Sequence, residues 1–210
     1  MTVVEELQNL GACEEAVKWA MEHGGNPAEL WNDCHRGDWM LWYAFLAKVD
    51  IRLIVLTVCA TVREALVCVP EGEERPLHAI HAAEAWARGE ATLAELVVAR
   101  DAVSDAIVEA STASIITTAC AGTALNNNVT HEDNATCDAI TAVLFAANIV
   151  VPSINDDDFT PERAALVCCA VVSAVDAIDV ADVDPDADTA DPAWASLIVR
   201  AYIPWATITK

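Results

Sequence analysis

Residues 26–48 read NPAELWNDCHRGDWMLWYAFLAK. The stretch opens with a complete helix start. Asn26 offers a side-chain oxygen to the orphan N–H groups of a first turn, and Pro27 occupies the first helical position, where no N–H is needed. Glu29 stands at the third position, from which it can reach back to the cap. Gly37 is then expected to break this helix and Asp38 to cap the next. Behind them Trp39, Trp42 and Leu46 follow at i, i+3 and i+7, which is one face of a helix. Trp19 and Trp31, on the two preceding helices, can complete an aromatic core in this part of the chain.

The same grammar recurs outward from this segment. TLAE at Thr92 and THED at Thr130 repeat the capping-box logic, and TPER at Thr160 and DPAW at Asp191 place proline directly after a capping side chain. Stops are visible at His23–Gly25 and at Arg88–Gly89, where glycine can take the left-handed conformation that closes a helix. The spacing predicts helices over 3–9, 12–23, 27–34, 39–48, 51–69, 76–88, 93–120, 131–150, 161–180 and 192–203. No apolar–polar alternation lasts long enough to compete as a strand. The expected fold class is therefore all-α: a single multi-helix domain, orthogonal or bundle-like, of roughly nine to ten helices over residues 1–210. If the chain divides, it divides near residues 121–133.

Hydrophobic residues make up 55% of the 210-residue chain, rich in Ala, Val, Ile and Leu, and mean hydropathy is +0.33. The longest apolar runs, from Ala139 and from Ala164, fall short of the roughly 20 residues a membrane span requires, and the first meets Pro152. Both read as buried core helices. The first residues carry Glu5 and Glu6 where a secretory leader would carry Lys or Arg, so a cytoplasmic protein without a membrane segment is expected. Of eight cysteines, Cys59, Cys68, Cys120, Cys168 and Cys169 lie in apolar stretches, and no C-x-x-C pair occurs; they read as small buried thiols.

Charge is the most unusual property: 33 acidic against 11 basic residues, a formal net charge of -22. Such a field repels phosphate backbones, which argues against direct nucleic-acid binding, and it attracts basic proteins and speeds their encounter. The acidic runs Asp156, Asp157, Asp158 and Asp182, Asp184, Asp186, Asp188 are the candidate contacts for such a partner. The second run mimics the opening of a calcium loop, but Ala187 replaces its glycine and Ala193 its bidentate glutamate. A high-salt cell would favour the same composition, with Lys18, Lys48 and Lys210 the only lysines.

Motifs that carry chemistry are sparse. Cys34, His35 and Asp38 are close in sequence, but a thiol and the adjacent imidazole diverge on one turn, and no oxyanion-hole signature accompanies them. His78, His81 and Glu84 sit at helical steps of three and form the one candidate metal set, although the i, i+4 histidine spacing of a helical zinc site is absent. There is no phosphate-binding glycine loop and no nucleophile elbow. No catalytic residue and no cofactor is expected.

The segments GACEEAVKWA, WNDCHRGDWMLW and VPEGEERPLHAIHAAEAWARGEAT together resemble the immunity proteins found beside bacterial polymorphic toxins and in phage genomes, the family catalogued as immunity type five. The likeness covers residues 9–95, with Gly37, Asp38, Trp39, Trp42, Arg75, Pro76 and Trp86 among the positions in register; the pair His78 and His81 departs from it. The resemblance implies an all-helical protein without enzymatic activity that neutralises a toxin by binding it. The expectation is thus an acidic, non-enzymatic inhibitor of a basic toxin or nuclease. The alternative is a phage-encoded or self-assembling structural helical protein that forms homo-oligomers, and a lesser one is a metal-binding enzyme built on the histidine pair.

Overall fold

The computed structural model describes residues 2–121, 131–150, 161–181 and 193–208. In chain order these form α1 (Val3–Leu10), α2 (Glu14–His23), α3 (Pro27–Asp33), α4 (Gly37–Leu46), α5 (Ile51–Glu64), a 3-10 turn (Ala65–Cys68), α6 (Arg75–Arg88), α7 (Leu93–Ala121), α8 (His131–Val150), α9 (Pro161–Ala181), α10 (Ala193–Tyr202) and α11 (Trp205–Ile208). No strand occurs among the described residues. The fold is all-α, and ten of the helices have seven or more residues.

Local chemistry accounts for many of the boundaries. Asn26 accepts from the N–H groups of Ala28 and Glu29 while the Glu29 carboxylate accepts from Asn26 N–H, so α3 starts on a closed capping box. Thr92 and Glu95 make the same reciprocal pair before α7, and Thr2 and Glu5 make it before α1. The caps expected at Thr130, Thr160 and Asp191 lie outside the described residues. Two expected features differ. The long helix predicted over 51–69 ends at Glu64 and tightens into the 3-10 turn. The four-residue α11, too short to show a period, was not anticipated.

The start of α4 also departs from expectation. Gly37 does not terminate α3, which ends at Asp33; it is the first residue of α4. Asp38 caps nothing, because its carboxylate is held by Arg36 through two charge-assisted bonds of 2.9 and 2.7 Å, which outcompete a bond to a neutral backbone N–H. Gly37 owes its place to close packing: a Cβ there would lie 2.8 Å from Ala195 Cβ and 2.9 Å from the Ala195 carbonyl carbon. The N-terminus of α10 thus rests directly on the backbone of α4.

The buried cluster runs without a break from Trp31 to Ile203, so the early and late helices share one core. The pairing of α8 with α9 is the most extensive, and small side chains such as Ala139, Ala142, Ala146, Ala170, Ala174 and Ala177 are buried in it. Helix α4 packs on α9 and α10, and α6 packs on α5, α7 and α8. In α5 the buried Thr57 and Thr61 hydroxyls donate to the carbonyls one turn back, at 2.7 and 3.0 Å, so neither is left unsatisfied. No described helix is long and apolar enough to cross a membrane.

Candidate functional site

The first four helices and α11 enclose an apolar cleft of about 70 Å³. Val3 and Leu7 of α1, Trp19 of α2, Trp31 of α3, Trp39 and Tyr43 of α4, and Trp205 of α11 contribute its main walls. Trp31, Tyr43 and Trp205 contact one another: their ring centroids are separated by 6.5 Å (Trp31–Tyr43), 6.1 Å (Trp31–Trp205) and 6.5 Å (Tyr43–Trp205), the last pair stacked. Trp19 meets Trp39 edge-on at 6.3 Å. Trp31 is buried, whereas Trp19, Trp39, Tyr43 and Trp205 are half-buried, so the cleft opens to the surface.

Helical spacing explains why the aromatic stripe lies here. The expected face of Trp39, Trp42 and Leu46 is the half-buried flank of α4, and Met40, Leu41, Ala44 and Phe45 form its fully buried side. Helix α4 is apolar around most of its circumference, so spacing alone could not tell the deeper face from the shallower one.

Polar groups frame the cleft. The Tyr43 hydroxyl donates to Glu6 Oε1 at 3.0 Å, tying α1 to α4; burial first, and this carboxylate second, push its pKa above the ordinary tyrosine value. The Arg36 guanidinium lies 4.6 Å from the Trp39 ring centroid while paired with Asp38. At the floor, Arg200 of α10 donates to the Cys34 carbonyl at 2.7 Å and to the Trp31 carbonyl at 3.5 Å, and its other nitrogen donates to Ser196 Oγ at 2.8 Å. The Trp31 indole N–H is buried with no acceptor among the described residues. Behind Gly37 a second cavity, about 230 Å³, lies between Arg36, Asp38, Val171, Val175 and Ala195.

The Cys34, His35 and Asp38 set is not assembled as a nucleophile. Cys34 is buried, its thiol faces the Arg36 carbonyl at 3.6 Å, and desolvation raises its pKa; His35 is exposed, and Asp38 is committed to Arg36. The candidate metal set is likewise dispersed. Glu84 is held by Arg63 at 2.6 Å, with Arg88 at 3.8 Å, while His78 and His81 are exposed on α6. Among the described residues no three His, Cys, Asp or Glu side chains approach one another as a metal site requires. The acidic runs at Asp156, Asp157, Asp158 and at Asp182, Asp184, Asp186, Asp188 lie outside the described residues.

The remaining motif positions serve the packing. Arg75 joins Glu73, which precedes α6, to Glu109 of α7 at 2.7 Å, and its guanidinium lowers the pKa of both carboxyls. Pro76 is buried, and Trp86 carries Arg52 at 5.3 Å from its ring centroid. Of the cysteines expected to be buried, Cys59 is, Cys68 and Cys168 are half-buried, Cys169 is exposed, and the side chain of Cys120 lies outside what the structure describes. Cys169 is exposed because it lies next to the inward-facing Ala170 on a helix whose other side is solvated. Burial pushes the thiols of Cys59 and Cys168 up to about 12.

No family model matches the chain, and no curated protein or solved structure matches it.

Proposed function

We propose that this protein is an acidic helical binding protein that acts by covering the cationic surface of a basic protein, with no reaction of its own. The observation that carries the proposal is the excess of 33 acidic over 11 basic residues, a net charge of -22. A field of this size accelerates encounter with a positively charged partner and disfavours acidic competitors. The pattern likeness of residues 9–95 to immunity proteins supports the same reading and makes a toxin or nuclease the partner class.

The candidate chemistries within the described residues also fit a binder. Cys34 is held away from the thiolate, and Glu84 is spent on an arginine. The experiment is capture of a partner from nuclease-treated lysate on the tagged protein, followed by washes of rising salt and an assay of the released partner's activity with and without the protein. One basic protein, released by salt and silenced by one equivalent of this chain, is the expected result. Retention indifferent to salt overturns the charge-based reading, since exposed charges are screened beyond about 8 Å at physiological ionic strength. Recovery of this chain's own copies alone moves the function to self-assembly.

A further inference from the structure

We propose that the aromatic cleft between α1, α2, α3, α4 and α11 is the anchor point for the basic partner, and that its occupant is one arginine side chain projecting from that partner. This inference rests on the reading of the protein as a binder of a basic protein.

Volume comes first. Cofactor and drug-sized sites run to roughly 300 Å³ or more, whereas this cleft has about 70 Å³ and suits a single side chain. Interface energy concentrates where one such side chain enters a desolvated aromatic pocket.

Chemistry then selects the side chain. Trp31, Tyr43 and Trp205 pack on one another with ring centroids 6.1 to 6.5 Å apart, and the half-buried Tyr43 and Trp205 keep part of their π systems open to a cation. The chain already uses this pairing twice, with Arg36 at Trp39 and Arg52 at Trp86. A carboxylate is bonded to one of the lining residues: Glu6 accepts from Tyr43 through one oxygen, and no partner of its other oxygen is found among the described residues. The outer faces of the same helices carry Glu5, Glu14, Glu15, Glu22, Glu29 and Asp33, all exposed, with Lys18 the one lysine among them. An arginine fits both demands at once, since its flat guanidinium stacks on rings and its fork pairs with a carboxylate.

The test titrates the full-length protein, by calorimetry and tryptophan fluorescence, with a short peptide alternating arginine and alanine. The same peptide with citrulline in place of arginine keeps the shape and removes the charge. Binding of the arginine peptide is expected to weaken about tenfold in Trp205→Leu and about threefold in Glu6→Gln. It should change little in the double variant Glu71→Gln/Asp105→Asn, whose carboxylates are exposed on a distant loop and on α7. Circular dichroism verifies that each variant is folded, and Glu6→Gln, whose amide oxygen can still accept from the Tyr43 hydroxyl, keeps the test open if Trp205→Leu is not.

Equal binding of the citrulline peptide overturns the proposal. So does arginine-peptide binding that the cleft variants leave intact and the distant pair weakens; the acidic-binder reading survives that result. Absence of arginine-peptide binding even at low salt removes both.

Discussion

Two helix ends in this protein are each met by an arginine from a distant helix, and they differ in what would happen without it. At the end of α6 the chain turns through Gly89 at φ 78°, whose N–H donates to the Trp86 carbonyl, while Glu90 N–H donates to that of Ala85; these two carbonyls are closed locally, and Arg52 adds a bond of 3.4 Å to Trp86 and one of 3.3 Å to the Ala87 carbonyl. At the end of α3 there is no left-handed residue. Cys34 is extended, and the chain leaves directly toward α4 with the last carbonyls facing inward. There Arg200, from the far end of the sequence, supplies the donors at 2.7 and 3.5 Å. One end is closed for the most part by its own sequence and the other by the completed tertiary fold.

Replacing the two arginines in turn separates the two helix ends. Arg200→Ala leaves the Cys34 carbonyl without its donor and removes the bond that the Ser196 hydroxyl accepts, though Ser196 still donates to the Ala193 carbonyl, and should cost about 3 kcal/mol in urea unfolding. Arg52→Ala, which takes two longer bonds of 3.3 and 3.4 Å from an end whose Ala85 and Trp86 carbonyls are closed locally, should cost only about 1 kcal/mol. Equal losses would show that the local closure of α6 contributes little.

Next in size is Gly37→Ala, which acts on the same α10 contact from the other side. The added methyl would meet the Ala195 backbone, which cannot yield as a flexible side chain would, so α10 must shift at a cost of about 2 kcal/mol. Arg200 would then be carried away from α3, and the losses from Gly37→Ala and Arg200→Ala should fall short of additive in a double-mutant cycle. Gly89→Ala acts on the end of α6. A side chain at φ 78° is strained whatever the space, and about 1 kcal/mol is expected, with no effect on the aromatic cleft as read by tryptophan fluorescence.

The same distinction explains how far the sequence could be read. Helix starts at Asn26 and Thr92 and the stop at Gly89 were legible because capping and left-handed closure use residues a few positions apart. Asp38 was misassigned because the group that claims it, Arg36, competes through charge, which spacing does not record. The cleft was half legible: the tryptophans were countable, but Trp205 and Arg200 reach it only once α10 and α11 fold back over α3 and α4. The part of the acidic surface assigned in advance to partner binding lies outside the described residues, while the acidic faces of α1, α2 and α3 carried no motif that would have singled them out.

Charge gives the smallest and most general prediction, and it bears on both helix ends alike. Self-repulsion at a net charge of -22 opposes the compact state, so added salt should raise the melting temperature, by about 2 °C for a stabilisation of under 1 kcal/mol in a chain of this size. Acidification acts with two signs. Glu73 and Glu109 have pKa values lowered by Arg75, and Glu95 by its bond from the Thr92 N–H; all three lie below the ordinary 4.5. A carboxyl whose folded pKa is depressed contributes stability above its unfolded value and loses it as pH falls through the folded one. Relief of repulsion therefore dominates on the way down from neutral pH, and loss of these bonds dominates below about 4.5. A melting temperature that peaks between those limits at low salt, and flattens when salt is added, is the expected curve. A monotonic fall from neutral pH would mean that the acidic surface is already neutralised within the fold, and with it the driving force for a basic partner would disappear.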